Sequence, residues 1–187
     1  ISNLEFCLHY SGVLKSDDRA SGKHRIRMQL HPQIEALCRG RFYPTFKPDL
    51  ENSRDDNSPP MYYAIDGKQF YFLVSSKLHT VVNLDITLLL PHPVGSIIHS
   101  GGDVDNRIKT LFDALRIPHN PSEAPSHFGE IATESPTFSL LEDDKLINRI
   151  SIKSYEDNAP EGKDTVRCFI QVETRITTGS WEGLNFV

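Results

Sequence analysis

The chain has 187 residues, 38% of them hydrophobic and 24% charged, with a net charge of −5. These are the proportions of one globular domain rather than a disordered polymer, and the negative sum argues against a protein that coats nucleic acid without selection. No apolar run approaches the ~20 residues of a membrane span, no basic-then-apolar opening marks a signal peptide, and Cys7, Cys38 and Cys168 are too few and too far apart for a disulfide framework or a CxxC zinc knuckle. An intracellular, reducing setting without membrane contact is expected.

Residues 3–10 alternate Leu4, Phe6, Leu8 and Tyr10 against Glu5, Cys7 and His9, the pattern of a half-buried strand. A basic stretch follows. From Arg19 to Lys47 it carries Lys23, Arg25, Arg27, Arg39 and Arg41 against the single acid Glu35. Within it Pro32 is placed to open a short helix through Ile34 and Leu37 that stops at Gly40. Residues 47–60 read as a solvated, proline-punctuated loop, and the aromatic runs around Asp66-Gly67 read as a tight hairpin, because an Asp-Gly pair supplies the positive φ angles of such a turn.

Residues 80–90 alternate Val82, Leu84, Ile86, Leu88 and Leu90 with more polar neighbours, which predicts a core strand. After a Pro/Gly-bearing loop comes the most helical segment, 105–117. There Ile108, Leu111, Phe112 and Leu115 recur at helical spacing, Asp105 or Asn106 is a natural N-cap, and Pro118 ends the helix. Residues 119–138 read as a loop-like insertion, and the stretch 40–75, which contains the hairpin, as a second insertion. The last unit reads as a hairpin, with Ile150 and Ile152 of a strand 146–154 and Val166, Cys168, Ile170, Val172 and Ile176 of a strand 165–177 facing inward. Together these elements predict a single α+β (mixed α/β) domain with a mixed sheet and one main amphipathic helix. Neither GxGxxG nor GxxxxGK[ST] is present, so dinucleotide and Walker-type nucleotide binding lack support.

Two acidic clusters flank core elements. In Gly102-Asp103-Val104-Asp105-Asn106, carboxylates at i and i+2 before a helix can converge on one hard cation, and Lys109 lies one turn on, on the face of Asp105. Read as ordinary structure, Asp105 caps the helix and Lys109 pairs with Asp105 or Asp113. In Leu141-Glu142-Asp143-Asp144-Lys145, three successive acids before a strand repel one another and are tolerated in water or beside a cation. The plain alternative is a charged turn.

GDVDNRIKTLFDAL followed by LLEDDKLI resembles the RusA family of Holliday junction resolvases, whose pattern is D-x-D-N-x-x-K-x-x-x-D-A-L and then a D-D pair. The agreeing positions are Asp103, Asp105, Asn106, Lys109, Asp113, Ala114, Leu115, Asp143 and Asp144, and the likeness spans about residues 80–177. The resemblance implies a RusA-like fold and a Mg²⁺-dependent endonuclease, with Mn²⁺ as a substitute. It implies that Asp103, Asp105 and Asp144, with Asp143 beside them, bind the metal, that these aspartates and Lys109 form the catalytic set, and that no organic cofactor takes part. It also implies branched DNA as substrate, a homodimer, and a cytoplasmic protein of bacterial or phage origin. The spacer between Asp105 and Asp144 is longer than the family pattern, which bears on the DNA shape accepted.

For DNA contact, Lys23, Arg25, Arg27, Arg39 and Arg41 lie beside Phe42, Tyr43 and Phe46, a mixture suited to phosphates and opened bases. The alternative is a solvated basic face whose aromatics pack inward. His24, His31 and His79 lack metal-ligand spacing and read as packing or surface residues. Three further functional readings stand beside the first. One is a PD-(D/E)xK nuclease that uses Asp143-x-Lys145. Another is an accessory DNA-binding protein that keeps the fold but has lost or repurposed the site. The last, a nucleotide-sugar transferase, lacks the α/β series it would need.

Overall fold

The computed structural model describes residues 4–16, 18–40, 62–65, 67–92, 104–123 and 136–177. Alternation in the first strand carries through as β1 (Leu4–Val13), followed by a long helix α1 (Ala20–Gly40). The hairpin forms from β2 (Tyr62–Ile65) and β3 (Lys68–Val74), with Ile65 opposite Lys68 and Gly67 at φ +72° as the turn requires. Then come β4 (Thr80–Leu90), α2 (Val104–Leu115), β5 (Thr137–Leu141), β6 (Ile147–Glu156) and β7 (Thr165–Ile176). The strands form a four-stranded sheet of order β1-β7-β4-β6 and a three-stranded sheet of order β2-β3-β5. The result is a single-domain α+β fold.

The larger sheet is mixed because β7 runs antiparallel to both β1 and β4, whereas β6 runs parallel to β4. β4 is therefore central. Its alternate residues Val82, Leu84, Ile86 and Leu88 are all buried, the last three opposite Val172, Ile170 and Cys168 of β7. Asn83, at the register shift beside Val82, is buried as well. It donates to Glu173 Oε2 at 2.7 Å and accepts from Asn148 Nδ2 at 2.9 Å, tying three strands together.

α1 packs against β1 of the larger sheet, β5 of the smaller sheet and α2, so one hydrophobic core serves both sheets. Its buried side is Gly22, His24, Ile26, Arg27, Leu30, His31, Ile34 and Cys38. Polar residues hold several of these inward positions, which dilutes the apolar period. The sequence accordingly shows only the second half of the helix, and Pro32 lies inside it rather than opening it. Proline removes one backbone bond, and its ring sits on the solvent side.

Three other expectations change. The terminal hairpin does not form, because β4 inserts between β6 and β7 and pairs with both. Ile150 and Ile152 share the face of Leu84 and Ile86, yet they are 44% and 40% exposed because β6 is an edge strand, with a neighbour on one side only. Within the stretches read as insertions, β2 and β3 belong to the second sheet and residues 137–141 form the fully buried β5. The expectations for residues 47–60, for Phe42, Tyr43 and Phe46, and for 124–135 fall outside the described residues.

Candidate functional site

α2 turns Ile108, Leu111, Ala114 and Leu115 into the core and leaves Asp105 and Lys109 on its outer face, each 64% exposed and joined at 2.7 Å. The helix already begins at Val104. Asp105 and Asn106 therefore lie inside the first turn rather than capping it, where a carboxylate complements the positive end of the helix dipole. Asp103 lies outside the described residues.

The second acidic cluster follows β5 as a tight 3-10 turn, Asp144–Leu146, that packs against α2. Asp143 caps this turn: its Oδ1 accepts from the Lys145 N–H at 2.9 Å, while its Oδ2 lies 3.7 Å from His119 Nε2 and 3.8 Å from Lys145 Nζ. Burial works against its charge, but these bonds and cations win and hold its carboxyl below the usual carboxylate range. Asp144 goes the other way. Burial, the hydrogen bond shared with Asp143 and the negative charges of Asp143 and Asp113 raise it, against the opposing charge of Arg116. The pair thus holds a proton more readily at Asp144, the response of a carboxylate that a cation would relieve.

Glu142 is not part of this pair. It accepts from Ser75 Oγ at 2.7 Å, Tyr63 Oη at 2.8 Å and the Ser76 N–H at 3.0 Å, which together outweigh the cost of burial and keep it ionised. It clamps the end of β5 to the β3–β4 connection. Beside it lies an open cleft of about 550 Å³, lined among others by Tyr63, His119, Asp143 and Lys145. Nothing local in the sequence marks Glu142 for this role, because its partners lie 67 and 79 positions away.

Asp113 is the other residue whose role emerges only in three dimensions. Lys23 Nζ donates to it at 2.6 Å and Arg116 at 2.9 Å, and these partners hold its carboxyl low against the cost of burial. Arg116 continues to Glu123 at 2.9 Å.

This network revises the set of residues expected to touch DNA. Lys23 is engaged with Asp113. Arg27, at 2% exposure, lies within the core, where its guanidinium donates to the backbone carbonyls of Asp113 at 2.7 Å and Arg116 at 3.0 Å. It holds the last turn of α2 and is not available to a phosphate. Arg39 is on the surface, paired with Glu35 at 2.7 Å and set over the Phe138 ring. Arg25 is exposed, and Arg41 lies outside the described residues. His31 accepts the Phe138 N–H at 2.9 Å and stacks on that ring, a packing role as expected. Cys38 and Cys168 are buried free thiols and Cys7 is an exposed one.

Asp144 lies within electrostatic reach of Asp113 and Arg116, whereas Asp105 stands eight positions earlier, about 12 Å along the helix axis. Among the described residues no group of three or more His, Cys, Asp or Glu side chains gathers closely enough to hold a metal ion. Among the same residues, no helix is long and apolar enough to cross a membrane. Set against known proteins, the chain matches no family model, no curated protein and no solved structure.

Proposed function

We propose that the chain is a Mg²⁺-dependent endonuclease of RusA type that cleaves phosphodiester bonds in branched DNA, working as a homodimer. One observation carries the reading. The helix whose first two turns bear Asp105 and Lys109 is also the helix against which the turn after Asp143 packs, so both halves of the D-x-D-N-x-x-K and D-D pattern belong to or border one element.

The donor chemistry suits a hard divalent cation, because the oxygens are carboxylate and Asp144 sits among like charges that raise its hold on a proton. But Asp144 stands beside the far end of α2, about 12 Å along its axis from Asp105, a gap that a shared ion would have to close. Asp103, Asp105 and Asp144 would hold it, with Asp143 beside them. Bound there, such a cation supplies Lewis acidity to a phosphoryl oxygen and lowers the pKa of a coordinated water. The protein contributes the rest. Lys109, exposed and paired to Asp105, sets a fixed positive charge where negative charge builds on the attacked phosphate. Asp143, held ionised by its turn, leaves the shared proton to Asp144, so acid would compete with a cation at that carboxylate and turnover would fall as pH drops.

The test is cleavage of an end-labelled four-way junction and a matching linear duplex, with Mg²⁺ and with EDTA. Paired Mg²⁺-dependent nicks on the junction are expected. Asp105→Asn is expected to slow cleavage by at least about 100-fold, the scale of losing one charge-stabilising group, while junction binding persists. Cleavage by Asp105→Asn at the parent rate refutes the assignment. Loss on Lys145→Ala with Lys109→Ala mild transfers it to the PD-(D/E)xK pattern, and tight junction binding without metal-dependent nicks transfers it to an accessory DNA-binding protein.

A further inference from the structure

The ends of β1 and β4 and the start of β7 lie together, because β7 is antiparallel to both: Val13 faces Thr165, and Leu89 faces Arg167. The first turn of α2 returns to this same end of the sheet. Between them is an open groove of about 340 Å³. Lys15 and Ser16 come into it from the segment after β1, His92 from the segment after β4, Arg107 from α2 and Asp164 from the segment before β7. Two permanent cations, an imidazole and a hydroxyl thus face one carboxylate, on a chain whose net charge is −5. The pattern gathers positive charge locally against the overall sign, and four separate stretches of sequence are needed to build it.

We propose that this groove takes a backbone phosphate of DNA, adjacent to the phosphate presented to Asp105 and Lys109. The inference rests on the endonuclease reading and says where the strand runs past the site. Arg107 lies about 3 Å further along the helix axis than Asp105, and two positions on a helix point to different sides, so a strand crossing the first turn meets both in succession. Arg107 supplies a planar fork suited to phosphate oxygens, Lys15 a mobile point charge from the opposite wall, and Ser16 a hydroxyl donor. Contacts of this type fix register and orientation and carry no base preference.

The experiment is fluorescence anisotropy of the full chain with a labelled four-way junction and with linear duplex, in EDTA, from 50 to 200 mM salt. Lys15→Ala and Arg107→Gln are each expected to weaken binding about three- to tenfold, and to make the dependence of log K on log salt shallower by about one per contact removed. The ratio of junction to duplex affinity stays as in the parent. Arg107→Lys restores the slope, and Lys153→Ala, an exposed cation on β6, leaves it unchanged. Lys15 is exposed, so its variant keeps the fold intact. If the parent binds and nicks junctions while the double variant Lys15→Ala/Arg107→Gln keeps the parent's affinity and slope, the groove assignment falls and the endonuclease reading stands. If the parent binds no DNA, both fall together.

Discussion

Arg27 shows how one side chain can look like a ligand-binding residue and serve as a structural one. It belongs to a Lys-His-Arg-Ile-Arg run whose composition suggests a phosphate-binding face, yet its position on α1 turns it inward at 2% exposure. Burial lowers its hold on the proton, the neighbouring Arg116 lowers it further, and Glu123 and Asp113 oppose both. It stays charged at neutral pH, where its forked donors satisfy two carbonyls at the end of α2 that have no helical partner of their own. Arg27→Leu removes the donors and leaves those carbonyls unsatisfied, a loss expected to be about 2–4 kcal/mol. Urea unfolding measures it directly. A change below about 0.5 kcal/mol would show that the guanidinium is not needed there.

At the scale of elements, position in the sheet decides what a residue is worth more than its identity does. Leu84 on β4 and Ile150 on β6 are paired across the ladder and share one face. Leu84 is fully buried between two neighbouring strands, while Ile150 and Ile152 sit on the outer strand and remain exposed by 44% and 40%. Leu84→Ala is therefore expected to cost about 3 kcal/mol through lost burial and an unfilled cavity. Ile152→Thr, at a site already in water and with a residue suited to strands, is expected to cost less than about 1 kcal/mol. Thermal melts of the two variants compare them. Equal losses would mean that β6 is covered in solution. The acidic turn follows the same logic: Asp143 and Asp144 sit side by side, yet the capping bond and nearby cations lower one while burial and like charges raise the other.

For the whole molecule, a main core that spans both sheets means that a buried group in α1 reports on global stability. His24 is fully buried, and burial, reinforced by the positive charges of Arg27 and Lys68, pushes its imidazole down to about 4 from 6.5. The unfolded chain takes up this proton as pH falls through about 6.5, while the folded chain resists until about 4. Stability is thus full above about pH 6.5 and declines toward pH 4, by no more than about 3 kcal/mol from this group. Below the usual carboxylate range Glu142 and Asp113, held ionised by their partners despite burial, add a further loss of the same sign. Urea titrations at pH 7.5, 6.0 and 4.5 on the parent and on His24→Gln test this, with a flatter profile expected for the variant. Equal parental stability at pH 7.5 and 4.5 would refute a neutral buried imidazole.

Wherever a side chain's environment follows from its own local spacing, the sequence alone determined it. The alternation of residues 80–90 marks β4, the i, i+3, i+4, i+7 repeat marks α2, Asp-Gly marks the β2–β3 turn, and the D-x-D-N-x-x-K and D-D pattern marks the candidate carboxylates. Tertiary structure alone decided which strands pair, because ladder partners are chosen by contacts between distant residues. This is why β4 separates β6 from β7, and why inward-facing Ile150 and Ile152 still meet solvent. It also decided the start of α1, where His24, Arg27 and His31 occupy inward positions that leave no apolar period to read. The same non-local pairing drew Lys23 to Asp113 across 90 positions and Glu142 to Tyr63 across 79. Local spacing records the face a residue presents, and packing between remote segments fixes what that face meets.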